Sequence, residues 1–164
     1  VFTIPAELDT IDWAALGAPD IPQLVRETNT EDLHQSIGPF NKLYQILSPE
    51  YLEESYTQAI QLSQSEVQAH FVPILIRILS QETDPFYICG WLDLLESLAR
   101  LWFLTEKFGA SDPNKPVFVQ WARRINDAVR EGIPLYQSLL LNPNPKVQES
   151  AQWLLDVLEE TKVS

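Results

Sequence analysis

Residues 133–158 read IPLYQSLLLNPNPKVQESAQWLLDVL, and this stretch decides the fold. Gly132 and Pro134 interrupt the run before it, and 135–141 then continues with helical spacing. Asn142-Pro143-Asn144-Pro145 is a turn. Beyond it, Val147, Ala151, Leu154, Leu155 and Leu158 recur at spacings of three and four, which predicts a buried helical face over 146–160. Helix, turn and helix make a helical hairpin.

Working outward, the same layout occurs twice more. Ile21-Pro22 and Val72-Pro73 match Ile133-Pro134. Two residues after each proline stands a large side chain: Leu24, Leu75 and Tyr136. A turn follows at Glu31-Asp32, Asp84-Pro85 and Asn144-Pro145. A second helix then places a leucine pair four residues apart: Leu43/Leu47, Leu94/Leu98 and Leu154/Leu158. The proline bends or starts the first helix, the turn reverses the chain, and the leucine pair packs the hairpin on its neighbour.

The rest of the chain fits around these hairpins. Residues 1–19 read as an irregular lead-in, with a short helix at 11–16 and Trp13 as its anchor. Asp20 caps the next helix, two residues before Pro22. Over 31–47, Leu33, Ile37, Phe40, Leu43 and Leu47 share one predicted face, and Gly38-Pro39 predicts a kink or break. Ser48-Pro49-Glu50 starts an extra helix to about 63, and another covers 65–79. Residues 86–108 form the longest apolar helix. Ile88, Trp91, Leu92, Leu95, Leu98, Ala99 and Trp102 make a stripe so broad that the helix must be central. Residues 109–116 (GASDPNKP) read as a surface loop, and 117–131 as a helix burying Phe118, Trp121, Ala122, Ile125 and Val129.

The runs IDWAALGAPDIPQLV, AHFVPILIRIL and AVREGIPLYQSLLLNPNPKVQESAQWLLDVL resemble bacterial HEAT-repeat proteins. Those pair helical hairpins with apolar-Pro helix starts, as in VPxLxxLL, and close on a P-x-V…A…L-L helix. The likeness spans about 11–158 and departs from the two-helix repeat at the extra helix in 49–66. It implies an all-α fold: a short right-handed α-solenoid of HEAT-like hairpins, about seven to eight helices in one domain over 1–164. It also implies a binding role.

Composition sets limits on function. The 164 residues carry 11 Lys+Arg against 23 Asp+Glu, a net charge of −12. Such acidity disfavours nucleic acid and anionic membrane surfaces as partners. Eleven acidic and two basic residues fall in 1–70, against twelve and nine in 71–164, so most of the charge belongs to the N-terminal half. A basic partner would meet that half. The longest apolar runs are far short of a membrane span. A single cysteine, Cys89, forbids an internal disulfide and fits a reducing, cytoplasmic setting.

Reactive constellations are scarce. His34 lies beside Glu31 and Asp32, and His70 beside Phe71, yet neither has a second histidine one turn away to hold zinc. Cys89 is expected to be a buried, inert thiol. Five single glycines build no phosphate loop. No catalytic residue, metal or cofactor is therefore assigned.

In helical-hairpin repeats the second helices line up on one surface. Aligning the hairpins places Lys42, Asp93 and Trp153 at one level, Gln45, Glu96 and Asp156 one turn on, and Pro49, Arg100 and Glu160 after that. Trp153 lies opposite Ala151, Leu155 and Leu158 on the wheel, so it is expected to face outward as a contact anchor. Phe103 falls near the Glu96–Arg100–Lys107 stripe. The expected partner-binding set is Asp93, Glu96, Arg100, Phe103, Trp153, Asp156 and Glu160. The leading expectation is a non-catalytic module binding a protein partner. An acidic inhibitor neutralising a basic toxin or nuclease is the second. A subunit similar to the HEAT-like phycobilin lyases is the third, although no chromophore-anchoring residue is identified.

Overall fold

The computed structural model describes residues 1–48, 58–104, 111–113 and 115–162, without the side chains of 58–65 and 104. Among these residues every regular element is an α-helix and there is no strand. In chain order they are α1 (Glu7–Thr10), α2 (Ile21–Thr28), α3 (Leu33–Leu47), α4 (Gln58–Gln81), α5 (Pro85–Ala99), α6 (Leu101–Leu104), α7 (Lys115–Arg130), α8 (Ile133–Leu139) and α9 (Pro145–Glu160).

The repeated residues recur at matching places. Ile21-Pro22 and Ile133-Pro134 open α2 and α8. Leu24, Leu75 and Tyr136 are buried, as are all three leucine pairs. Pro73, by contrast, sits exposed inside α4 rather than at its start. Pro39 likewise lies inside α3, which runs past it without the expected break. An interior proline costs about 3 kcal/mol. Burial of Phe40 and Leu43, or of Phe71, Val72, Ile74 and Leu75, at about 1.5–3 kcal/mol per side chain, outweighs it.

The lead-in holds one short helix, at α1 rather than at 11–16. Residues 13–17 form turns instead, ending at Gly17 with φ 83°. Trp13 is the anchor the sequence suggests: its indole N–H donates to the Leu8 carbonyl at 2.7 Å, and its ring meets Phe71 edge-on at 6.1 Å. Two side-chain amides clasp the strand-like start of the lead-in. Asn29 Oδ1 accepts from Phe2 N at 2.7 Å while its Nδ2 donates to Phe2 O at 2.8 Å. Gln81 makes the same pair of bonds with Thr3. The lead-in is thereby fastened to the ends of both α2 and α4.

The expected break between helices at 63–65 does not occur. Residues 58–81 form one helix, because Ser63-Gln64-Ser65 contains neither proline nor glycine and costs little in helical form. The start of the extra helix, at 49–57, lies outside the described residues, as do 105–110 and 114 of the segments expected near the 109–116 loop. The central helix ends earlier than its apolar pattern suggests. At Ala99 the helical acceptor is taken from outside: Asn126 Nδ2 on α7 donates to Ala99 O at 3.2 Å. Phe103 N then turns to Arg100 O, three residues back, at 2.9 Å. This exchange divides the segment into α5 and α6.

Helix α5 is the hub. It packs against α4, α6, α7 and α9, and it meets α3 through an aromatic cluster. The Phe40 ring of α3 lies 5.0 Å from Tyr87 and 4.7 Å from Trp91, both edge-on. Ser36 Oγ and the Tyr87 hydroxyl share a hydrogen bond beside it. Helices α5 and α9 lie side by side in the same direction. Cys89 meets Ser150 near their starts, and Asn126 bridges Ala99 to Thr161 Oγ1 (2.9 Å) at their ends. Arg130 completes this junction. Its Nε donates to Asn126 Oδ1 at 2.7 Å, and an end nitrogen donates to Leu158 O at 2.5 Å, satisfying the C-terminus of α9.

Two substitutions test this packing. A Cβ at Gly90 would stand 2.5 Å from Phe40 Cζ, and Tyr87 and Trp91 leave that ring little room to retreat. Gly90→Ala should cost about 1–3 kcal/mol in urea unfolding despite its better helix propensity; an unchanged midpoint would contradict the contact. Asn126→Ala strips partners from Ala99 O and Arg130 and should cost about 2–3 kcal/mol. An effect below about 0.5 kcal/mol would show the junction to be dispensable.

Candidate interaction face

Each second helix begins on the same local device. Asp32 accepts from His34 N, Asp84 from Phe86 N and Asn144 from Lys146 N, all at 2.9 Å. A carboxylate or amide at the N-cap satisfies a backbone N–H that the helix itself cannot. Pro85 and Pro145 then occupy the first helical position. With starts fixed alike, the outward stripes of α5 and α9 run parallel. On α5 the stripe is Phe86, Cys89, Gly90, Asp93, Glu96 and Arg100. On α9 it is Lys146, Ser150, Trp153, Asp156 and Glu160.

A groove of about 450 Å³ separates the two stripes at their N-terminal end, lined by Pro85, Phe86, Cys89, Gly90, Asp93, Asn144 and Lys146. Trp153 lies above Lys146 by helical register and continues the α9 wall. It is 53% exposed, a large apolar ring left in water. Asp93, Asp156 and Glu160 are exposed as well. Glu96 is mostly covered and holds Arg100 Nε at 2.9 Å, so these two form an ion pair along α5. Phe103 is exposed, yet it sits on α6 beyond the break at Arg100 and does not continue the α5 stripe in register. Lys107 lies outside the described residues. Lys42 does not join the face either. It opens onto a different groove, of about 490 Å³, between α2 and α3 with Asp20, Gln23, Glu27 and Gln45.

Three exposed apolar residues near the starts of α3 and α5 escape sequence reading. Leu33 and Ile37 are not in the core but 46% and 36% exposed. The buried side of α3 is Ser36, Phe40, Leu43 and Leu47. At about 100° per residue that arc is centred roughly 50° from Leu33 and 90° from Ile37, so the spacing pattern takes in its own edge. Phe86 is the third, 50% exposed two residues after the Asp84 cap, on the outward strip of α5.

Cys89 is only partly buried, contrary to expectation, and lies on the groove. Desolvation pushes its thiol above the ordinary range, with a smaller push from the Asp93 carboxylate; the Ser150 hydrogen bond and Lys146 act the other way. The group is a protonated, weakly nucleophilic thiol at neutral pH. Among the described residues no group of three His, Cys, Asp or Glu could hold a metal ion, and no helix is long and apolar enough to cross a membrane. No protein-family model matches the chain, and no curated protein or solved structure is significantly similar to it.

The Cys89 environment has a direct readout. Alkylation by iodoacetamide should be slow at neutral pH and reach its half-maximal rate at a higher pH than for a free cysteine thiol. Asp93→Asn should move that midpoint down and Lys146→Ala should move it up. A midpoint below pH 8.5 would show an activated thiolate instead.

Proposed function

We propose that this chain is a non-catalytic module that binds a protein partner through the outward face of its second helices, and that its hairpins form a short right-handed α-solenoid of the HEAT-like kind. Three features support the solenoid: matching Asx caps, leucine pairs buried at corresponding places, and α5 packed between α3 and α9. The cytoplasm suits a chain with one free thiol.

One observation carries the binding role: Trp153 stands exposed two turns along α9 from Lys146, which lines a groove of mixed character with Asp93. Exposed tryptophan is a costly surface residue and is enriched among the side chains that dominate interface energies. Asp156 and Glu160 extend the site along α9, and the paired Glu96 and Arg100 extend it along α5. Phe103 adds a second apolar contact beyond the end of α5.

The test is capture by the immobilised chain from a lysate of its source cells, followed by titration of the protein recovered. Trp153→Ala should weaken that complex by about 2 kcal/mol or more. It should change folding stability by less than about 0.5 kcal/mol, because the ring is not in the core. Unaltered affinity would remove the second-helix face from consideration. A large loss of stability would make Trp153 a packing residue.

A further inference from the structure

We propose that the N-terminal ends of α3 and α5 form a docking surface for a basic amphipathic helix of the partner; this rests on the second helices being the interaction face, and it names the partner's chemistry. The apolar part of the surface is Leu33, Ile37 and Phe86, which are 46%, 36% and 50% exposed. Leu33 and Ile37 lie one turn apart on α3. The Phe40 ring of the same helix lies 6.0 Å from Phe86, and Ser36 beside it is hydrogen bonded to Tyr87, so the two helix starts meet here.

The rim decides what fits. A concavity of about 250 Å³ beside Leu33 is bordered by Glu31, Glu82 and Asp84, with Asp32 next along the chain. Neither 27–41 nor 78–99 contains a lysine or arginine. The cations nearest in sequence are placed elsewhere: Arg77 pairs with Glu7, and Lys42 lines the groove between α2 and α3. Lys146 stands on the α9 side of Phe86. The Val1 α-amino group lines the same concavity and two helix N-termini add about half a positive charge each, so four carboxylates leave the rim roughly two charges negative. An apolar ridge inside a negative rim matches a helix with leucine-like residues at i, i+3 and i+4 and lysine or arginine on its flanks. Anionic lipid headgroups are repelled by the same rim, and a second copy at net charge −12 is repelled as a whole.

The probe is a fluorescein-labelled amphipathic peptide of leucine and lysine, with a scrambled peptide of equal composition and a leucine–glutamate analogue as controls. Anisotropy with the full chain should show saturable binding of the first alone, weakening as salt rises. Leu33→Ser combined with Phe86→Ser should weaken it about tenfold or more. Glu31→Lys combined with Glu82→Lys should do the same without touching the apolar patch. Trp153→Ala should leave it within about twofold, which separates this surface from the Trp153 region. Equal binding of the scrambled peptide, or no effect of either double variant, would overturn the proposal. So would concentration-dependent dimerisation abolished by the serine variant, since a second copy would then be the occupant. Loss of peptide binding on Trp153→Ala alone would overturn this surface while leaving the second-helix face intact. Loss of the lysate partner's dependence on Trp153, with peptide binding unchanged, would do the reverse.

Discussion

Helix α5 has only one narrow strip that can be left to water. Tyr87, Ile88, Trp91, Leu92, Leu94, Leu95, Leu98 and Ala99 are all buried. At about 1.5–3 kcal/mol for each large side chain, exposing even two of them would offset much of the stability of a domain this size. The chain must therefore surround α5, and the other helices are arranged as its walls. Helices α4 and α7 cover one part, α9 lies alongside, and α3 approaches through Phe40 where Gly90 has no side chain to hold it off. The only strip of α5 that stays outside is the one carrying Phe86, Cys89, Asp93 and Arg100. The candidate face is what remains after the hub has been covered.

Enclosing a helix also raises the problem of its ends. Asp84 resolves it at the start of α5 with a local side-chain cap. At the other end the solution is long-range: Asn126 takes Ala99 O, holds Thr161 and is itself held by Arg130. A buried amide with both its oxygen and nitrogen satisfied specifies register as well as adding stability. It sets α7, α5 and the tail of α9 in one relation, and so fixes how the α5 and α9 stripes face each other.

These two kinds of contact explain what could be read from the sequence. Local chemistry was legible: apolar-Pro steps, turns, leucine pairs and the all-round apolar character of α5 all depend on neighbours within a few residues. Trp13 was legible as an anchor because the only tryptophan in a short irregular lead-in has few other uses. The end of α5 was not, because the residue that stops it lies on α7. Leu33 and Ile37 were misplaced for a related reason. Their spacing is correct for a buried face, but the arc that α2, α4 and α5 cover is narrower than the arc that is apolar. The candidate stripes on α5 and α9 were legible as outward positions, whereas Phe103 was carried along by a helix that does not continue to it.

The mismatch between apolar arc and covered arc also bears on how charge is distributed. Four basic residues, Lys115, Arg123, Arg124 and Arg130, lie on α7, and three of them also contact other groups in the fold. Arg123 covers Trp102 at 5.4 Å, Arg124 covers Trp121 at 4.8 Å, and Arg130 satisfies the end of α9. These cations are gathered on one helix of the C-terminal half. The N-terminal half keeps an excess of carboxylates, and the uncovered edge of the α3 arc falls within it. Apolar side chains in water invite self-association, yet here they sit among like charges that each copy carries. The same carboxylates that would keep two copies apart leave the edge open to a chain of opposite sign. Acidity and exposed leucine, isoleucine and phenylalanine are then parts of one surface property rather than two unrelated features.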